Sequence, residues 1–183
     1  ASYTFTATFD VSSDGTYEFI AVLGLSGDLD SSNDTIGFEL INYAPVATPY
    51  TQNFDSLTVV DDQDLIYTSE SGGYAWAINS GATISSSTGP NAGFGGSGAY
   101  IYTEASGADS LSIAEIKSHC IDLNGLATPA IEFYYHMYGA SIGGLWVDVS
   151  SDGVNYTTLD SLIGQQQSSE SDPWIKKQVD LSS

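Results

Sequence analysis

The sequence predicts an all-β protein with two tandem antiparallel β-sandwich modules, and three observations lead to this prediction. Short segments alternate apolar and polar residues, as strands with one buried face do. Gly, Asp and Ser separate these segments, with 19 glycines in 183 residues, and these residue types form turns. Two prolines in residues 45–50 cannot donate to a sheet and favour an extended linker, so they divide residues 1–44 from residues 51–183.

The first module is predicted to contain three strands: Tyr3–Phe9, Thr16–Leu23 and Thr35–Asn42. Asp14-Gly15 is predicted to form the hairpin turn between the first two, because Gly accepts a positive φ. A polar loop over residues 26–34 precedes the third strand. Because three strands are too few for a stable sandwich, we expect the chain to begin partway through a domain.

The second module is predicted to contain many short strands, at Thr51–Phe54, Ala75–Asn79, Ala99–Thr103, Ile121–Leu123, Ala130–Tyr138, Leu145–Ser150, Tyr156–Leu159 and Trp174–Leu181. Ile113–His119 is predicted as a single helical turn. Asp148–Gly153 repeats the six letters of Asp10–Gly15. We interpret the repeat as two hairpins with the same turn chemistry rather than a duplication, since the flanking residues differ.

The charge of the chain excludes several classes of partner. It carries a formal charge of −20, with three Lys or Arg against 23 Asp or Glu. Nucleic-acid binding and attachment to an anionic membrane both need many basic residues. No apolar segment reaches the roughly 18 residues of a membrane span. We therefore predict no nucleic-acid partner and no membrane insertion. Because 42% of the residues are hydrophobic, the chain can bury a core and is not a disordered acidic tail.

No candidate catalytic motif lies in the predicted secondary structure that its chemistry needs. Residues 93–98 fit G-x-G-x-x-G, but a strand follows where dinucleotide binding needs a helix. His136 lies in a predicted strand and reads as a structural histidine, and His119 and Cys120 are adjacent and point to opposite strand faces. Cys120 is interpreted as a small buried apolar residue, or as half of a disulfide whose partner lies outside this chain. We predict that this chain is not an enzyme, although the parent protein has room for a catalytic domain elsewhere.

Calcium is the cation that the composition favours, because it takes carboxylate and carbonyl oxygens. The acidic stretches Asp28–Asp34 and Asp61–Asp64 are interpreted as solvated turns. Several aromatic residues are candidates for a sugar-stacking face, although most are expected in the core. These aromatic residues are Tyr74, Trp76, Tyr100, Tyr102, Trp146, Tyr156 and Trp174.

Seven elements of residues 51–183 occur together in a characteristic order. They are Asn53-Phe54-Asp55, Trp76, Thr88-Gly89-Pro90, Gly98–Ser106, Ile131–Gly139, Ile142–Val149 and Trp174–Leu181. With these elements, residues 51–183 resemble the MAM domain family of extracellular jelly-roll modules, in a form found in secreted and surface proteins of Bacteroidota. The resemblance implies a jelly roll that lacks its closing strands in this chain. It also implies a cation, calcium, at Asp55 and Asn91. Vertebrate members carry several cysteines, whereas this chain has one.

Residues 1–44 resemble, over a shorter match, the closing strands of immunoglobulin-like repeats in the same class of proteins. Gly27, Asp28, Asn33, Asp34 and Thr35 fit the G-D-x-x-x-x-N-D-T loop of those repeats. Both resemblances imply a fragment, cut at both ends, of a longer protein.

Proteins of this class are often large adhesins or hydrolases exported by type IX secretion from Gram-negative bacteria. Many are O-glycosylated at Asp-Ser/Thr-apolar triplets, which implies modification at Thr35, Ser56, Ser110 and Ser161. The leading hypothesis is a non-catalytic spacer or ligand-presenting part of a surface adhesin, with an extracellular glycan or surface protein as partner. The alternatives are an accessory glycan- or protein-binding module of a secreted protease or glycosidase, and export cargo that contacts secretion-machinery proteins.

Overall fold

The computed structural model of the chain describes residues 6, 8–24, 26–27, 30, 32, 34–42, 44–57, 65–70, 74–109 and 111–182, without the side chains of Ile41 and residues 65–70. The backbone divides into two compact units, Ala1–Val46 and Ala47–Ser183. Regular structure in the described residues consists of β-strands and short 3-10 segments, among them Phe94–Gly96. The prediction of an all-β chain is confirmed.

The first unit contains one antiparallel ladder, in which β1 (Gly15–Val22) pairs with β2 (Thr35–Asn42). Phe19 lies opposite Phe38, and their rings stack with centroids 4.9 Å apart. Cross-strand aromatic pairs of this kind stabilise a ladder. The rings of Phe19 and Tyr17 also contact Phe9 edge-on. These contacts fix the register of β1 against β2.

The predicted hairpin at Asp14-Gly15 is wrong. Gly15 is the first residue of β1 and pairs with Asn42. The Asn42 side chain donates to the carbonyls of Val11 and Ser13, at 2.8 and 3.2 Å, which ties the entering chain to the end of β2. Of the predicted strand Tyr3–Phe9, residues 6, 8 and 9 are not in a strand, and the remaining residues lie outside the described part.

The repeated hexapeptide adopts two different structures. In its second copy, Val149 ends a strand and Asp152 closes the turn by accepting the backbone N–H groups of Val154 and Asn155, at 2.8 and 2.7 Å. The bonds from Asn155 and Val154 hold the pKa of Asp152 well below its usual range. The first copy leads into β1 at Gly15 instead. The interpretation as two equivalent hairpins is therefore wrong.

The second unit contains eight strands among the described residues: β3 (Leu65–Glu70), β4 (Trp76–Asn79), β5 (Tyr100–Thr103), β6 (Ala114–Ser118), β7 (Ala130–Tyr135), β8 (Gly144–Val149), β9 (Thr157–Ile163) and β10 (Ile175–Asp180). All pairs are antiparallel. The β4–β5 pair lies in sequence inside the β3–β6 pair, and β8–β9 lies inside β7–β10. Such nested pairing of distant strands around an inner hairpin is a feature of Greek-key sheets.

The described core of the second unit is small. Its buried apolar side chains are Leu57, Tyr100, Met137 and Val179, and Gln167 is a buried polar side chain among them. Tyr100 opens β5, and its ring meets the edge of Trp174 at 5.4 Å between centroids. Met137 continues the line of β7, and Val179 pairs with Ile131. The core thus gathers where the β4–β5 and β7–β10 pairs contribute large side chains.

Three predicted elements differ from the structure. Residues 114–118 form β6, paired with β3, and not a helical turn. Thr51–Phe54 forms no strand, because the side chains of Gln52 and Asn53 accept the N–H groups of Phe54 and Asp55 and bend the backbone. Of Ile121–Leu123, only Ile121 makes an isolated bridge.

Candidate functional site

Three segments of the second unit meet beyond the end of β7. They are residues 83–92 between β4 and β5, residues 136–139 after β7, and residues 165–174 between β9 and β10; together we call them the loop junction. Backbone bonds join them: Gly89 N–H donates to Tyr138 at 2.8 Å, Gln166 N–H to Met137 at 2.8 Å, and Asn91 N–H to Glu170 at 3.0 Å. Segments far apart in sequence are thereby fixed against one another.

Gln167 is the central side chain of the loop junction. It is 4% exposed, and both the oxygen and the nitrogen of its side-chain amide form hydrogen bonds. Its Oε1 accepts the Met137 N–H at 2.7 Å, and its Nε2 donates to the Tyr135 carbonyl at 3.1 Å. The side chain thus replaces a missing strand neighbour for the backbone at the end of β7. A buried backbone group without such a partner would lose its hydrogen bond to water and gain none in return.

Hydroxyl and carboxylate groups fasten the residue 83–92 segment. Thr83 Oγ1 donates to the Thr88 carbonyl at 2.6 Å, and Thr88 Oγ1 donates to the Ser85 carbonyl at 2.9 Å. Glu104 accepts the Ser106 N–H at 2.9 Å and the Ser85 hydroxyl at 2.8 Å. The bonds from Ser106, and then that from Ser85, lower the pKa of Glu104. This carboxylate is therefore ionised as a structural acceptor, with no sign of a raised pKa suited to a catalytic acid.

Aromatic rings line the junction on its core side. Tyr100 donates its hydroxyl to the Gly81 carbonyl at 2.6 Å and accepts from Asn79 at 3.0 Å. Burial is the main cause that raises the pKa of Tyr100. Trp174 donates its indole N–H to the Ala92 carbonyl at 3.1 Å. Both rings are therefore anchored, and neither serves as an open platform for a ligand.

His136 lies in the loop junction with its ring 5.9 Å from that of Trp174. Neither ring nitrogen has a hydrogen-bond partner among the described atoms. Burial lowers the pKa of His136, and the nearby Asp172 and Ser169, at distances too long or angles too poor for a hydrogen bond, oppose this shift without reversing it. The histidine is therefore neutral near pH 7, in keeping with its interpretation as a structural residue.

Acid is expected to destabilise the second unit through His136. The unfolded chain takes up a proton near pH 6.5, whereas the folded chain takes it up only at lower pH. The stabilising contribution is therefore full above pH 6.5 and is lost as pH falls through the folded pKa. We expect the melting temperature to fall more between pH 7.5 and 5.5 in the natural chain than in His136→Phe, measured by calorimetry. Equal falls in both proteins would contradict this role.

The predicted cation residues belong to different bonding arrangements. Asp55 accepts the Ala99 N–H on Oδ1 at 2.6 Å, next to the Gly-rich residues 93–98. The backbone N–H of Asn91 donates to the Glu170 carbonyl, inside the loop junction. The described part of the chain contains no group of three or more His, Cys, Asp or Glu placed to hold a metal. The structure assigns Asp55 a bond that organises the backbone at Gly98-Ala99.

The predicted glycosylation sites differ in their surroundings. Thr35 opens β2 and is exposed, and Ser56 is exposed in a turn. Ser161 is exposed in β9, directly opposite Trp146. Ser110 lies outside the described residues, as do Asp28, Asn33 and residues 61–64 of the two acidic stretches.

The motifs rejected for catalysis have structural roles. Gly93 N-caps the 3-10 helix Phe94–Gly96, and its carbonyl accepts the Gly96 N–H at 3.0 Å. Strand β5 follows, so no helix N-terminus meets this loop. Cys120 is a free thiol and is exposed, which corrects its interpretation as a buried residue.

The aromatic candidates divide into anchored and exposed rings. Tyr74 bonds Thr103 through its hydroxyl at 2.8 Å, and the Trp76 indole donates to Ala114 at 3.1 Å. Trp146 is 56% exposed and Tyr156 is 43% exposed. The Lys117 ammonium lies 4.7 Å from the centre of the Tyr156 ring. Trp146 is thus the large ring of this set most open to a ligand.

Sequence reasoning missed Gln167 and Glu170. Glu170 accepts the Ser87 N–H on its side chain at 2.8 Å, in addition to its carbonyl bond to Asn91. A glutamine within the run Gln165-Gln166-Gln167 carries no periodic signal of burial. The one available hint is that this run of polar side chains lies shortly before the Trp174–Leu181 element, with six residues between them.

Comparisons with known proteins identify the second unit. Residues 61–183 match the MAM domain family, meprin/A5/mu. An 80-residue stretch is 39% identical to Neuropilin-1a of Danio rerio, covering 43% of this chain and 9% of that protein. No solved structure matches the chain. In the described residues, no helix has the length and apolar character needed to span a membrane.

The MAM match covers more than half of the chain, and the described strands agree with a jelly roll of this family. MAM domains are extracellular modules of the adhesion and protein-interaction type. Several signature residues of the resemblance, among them Gly89, Glu104 and Trp174, contribute bonds to the loop junction or its edge. The chain belongs to the MAM domain family.

Proposed function

We propose that this chain is a non-catalytic part of a large secreted surface adhesin, in which it acts as a spacer or presents a ligand-binding surface. The single observation that supports this most is where the family signature lies. Thr88, Gly89 and Trp174 of that signature bond to backbone carbonyls in the loop junction. An arrangement of this kind stabilises a module and leaves its strand faces free to vary.

The proposed setting is the surface of a Gram-negative bacterium that uses type IX secretion. Its support is the resemblance of residues 51–183 and 1–44 to modules of such proteins, together with the Asp-Ser/Thr-apolar triplets that are O-glycosylated in many of them. Residues 1–44 are proposed to be strands of an immunoglobulin-like module, and residues 45–50 a linker. The division of the backbone after Val46 supports this boundary.

Adhesion is tested with the full chain coupled to fluorescent beads that flow over glass coated with neutral extracellular polysaccharide or, in a second channel, with extracellular-matrix protein. We expect beads carrying the chain to be retained more than beads carrying albumin, and no peptide or sugar to be released from the coat. Retention equal to that of albumin beads would contradict the adhesive role. Release of coat fragments would show an enzyme and contradict the non-catalytic role.

Modification of Thr35, Ser56, Ser110 and Ser161 is part of the same proposal. The exposure of the first, second and fourth of these residues supports it, because a transferase needs access to the hydroxyl. Mass spectrometry of peptides from native material is expected to show sugars on these residues. Unmodified peptides at all four positions would remove this part of the proposal.

Calcium at Asp55 and Asn91 stays a prediction. Calcium takes six to eight oxygen ligands, and these two residues supply too few by themselves, so no step of the proposed function depends on the ion. If calcium binds there, millimolar CaCl₂ will raise the melting temperature of the natural chain and not that of Asp55→Asn. Identical melting curves of the natural chain in CaCl₂ and in EDTA would contradict calcium binding at this site.

A further inference from the structure

The β8–β9 hairpin carries an open aromatic surface that the loop junction does not use. Gly144, Trp146 and Asp148 of β8 lie opposite Ile163, Ser161 and Thr158 of β9, in that order. Directly opposite residues of an antiparallel pair share a face of the sheet. We call these six residues the Trp146 platform.

The indole of Trp146 lies across Gly144. A Cβ atom at Gly144 would stand 2.7 Å from Cη2 and 3.1 Å from Cζ2 of Trp146, and 2.8 Å from Cδ1 of Ile163. Any larger residue at position 144 would therefore displace the ring. The glycine lets the indole rest against the strand backbone with Ile163 beside it, while 56% of Trp146 stays exposed.

Trp146 differs from the other two tryptophans of the chain. Trp76 and Trp174 are half-buried and donate their indole N–H groups to backbone carbonyls. A large exposed ring that is backed on one side matches the shape of a stacking surface. The C–H face of a sugar ring packs on such an aromatic face, because the face of the ring carries negative charge density.

Polar groups border the ring along the same face. The Ser161 side chain is exposed directly opposite Trp146. In the next residue pair on this face, the Thr158 hydroxyl donates to Asp148 Oδ1 at 2.6 Å, and both residues are exposed. Hydroxyl and carboxylate oxygens next to an aromatic ring can exchange hydrogen bonds with sugar hydroxyls, which a purely apolar patch cannot do.

The negative charge of the chain favours neutral glycans over anionic ones as ligands. All three lysines are engaged: Lys176 with Glu132 at 2.7 Å, Lys177 with Asp160 at 2.7 Å, and Lys117 on the Tyr156 ring. A chain of net charge −20 repels sulfated or uronic-acid polymers. A neutral sugar meets no such repulsion.

We propose that the Trp146 platform binds one pyranose ring of a neutral extracellular glycan, stacked on the indole and hydrogen-bonded at Asp148, and also at the Ser161 hydroxyl in chains that carry no sugar there. This inference rests on the proposed adhesive function and names the ligand class of its binding surface. Failure of sugar binding at Trp146 would leave the bead assay unchanged, so the two proposals can fail separately.

The test is NMR of the indole N–H signals of the full, unglycosylated chain, titrated separately with cellohexaose, mannohexaose and N-acetylchitohexaose. The Trp146 signal is assigned by its loss in Trp146→Phe. We expect at least one of these sugars to shift the Trp146 signal in a saturable manner and to leave those of Trp76 and Trp174 in place. Chondroitin sulfate is the anionic control and is expected to have no effect.

Two variants complete the test. Trp146→Ala is expected to weaken sugar binding, measured by isothermal titration calorimetry, by about tenfold or more, with little change in melting temperature because most of the ring is exposed. Tyr156→Ala, an exposed aromatic outside the platform, is expected to bind as the natural chain does. The proposal is overturned if none of the three sugars shifts the Trp146 signal, or if Trp146→Ala binds normally. A Trp146 signal that moves with protein concentration alone would show contact with a second copy instead and would also overturn it.

Discussion

Gln167→Ala is expected to lower the free energy of unfolding of the second unit by about 3 kcal/mol. The substitution removes both amide bonds, leaving the N–H of Met137 and the carbonyl of Tyr135 without the partners they have at 2.7 and 3.1 Å. Each buried polar group left unpaired costs about 1–3 kcal/mol. The deleted side chain also leaves a void beside Met137, which is 8% exposed.

Urea denaturation followed by tryptophan fluorescence measures this change. Gln166→Ala is the matched control, because Gln166 is the exposed neighbour and its amide bonds only the carbonyls of Ile163 and Gly164. We expect the control to lose less than about 1 kcal/mol, as exposed sites do. Equal losses in the two variants would show that the buried amide does not hold the loop junction together.

Gly93→Ala is expected to destabilise the second unit by a similar amount, about 3 kcal/mol. A Cβ at this buried position would stand 2.3 Å from the carbonyl oxygen of Gly98 and 2.7 Å from that of Ser97. Both atoms belong to backbone, so no side-chain rotation relieves the overlap. The backbone at 97–99 would have to move, and with it the Ala99 N–H that bonds Asp55 at 2.6 Å.

Gly143→Ala is the control for this substitution. Gly143 is exposed, its φ lies outside the left-handed region, and no atom lies within 4 Å of an added Cβ. Alanine there also loses less chain entropy on folding than glycine does. We expect its stability to stay within about 0.5 kcal/mol of the natural chain. A normal stability of Gly93→Ala, measured in the same urea titration, would contradict the tight packing of this loop.

The strands with regular alternation were predictable from the sequence. β2 matches its predicted bounds, and β1, β4, β5 and β10 lie within a residue or two of theirs. The prediction of a helical turn at Ile113–His119 is wrong, because the alternation in this segment is short and Ala, Glu, Ile and Lys all occur in helices as well. Its partner β3 decides the outcome, and pairing with a strand about 50 positions away leaves no local signal.

The loop junction was not predictable for a related reason. Gln167, Glu170 and Thr83 stabilise it through bonds to residues about 5 to 83 positions away. Polar residues in connections usually lie in solvent, so composition predicts a solvated loop. The family motif marked Thr88, Gly89 and Trp174 as important, yet the motif alone does not say whether a residue binds a ligand or another part of the chain.

The structure separates what stabilises this MAM module from what it presents. Thr88, Gly89 and Trp174 of the signature meet at the loop junction, where bonds are internal and most polar groups have partners. The Trp146 platform lies on the hairpin of β8 and β9, whose exposed face carries no such network.

Hydrogen exchange of the backbone amides in the natural full chain tests the central claim, that the loop junction is part of the stable scaffold, most directly. We expect the N–H groups of Gly89, Asn91 and Met137 to exchange as slowly as those in β7 and β10, because they would open only when the second unit unfolds. Exchange of these three amides as fast as that of the exposed turn at Asp152-Gly153 would contradict the claim and identify the junction as a mobile surface loop.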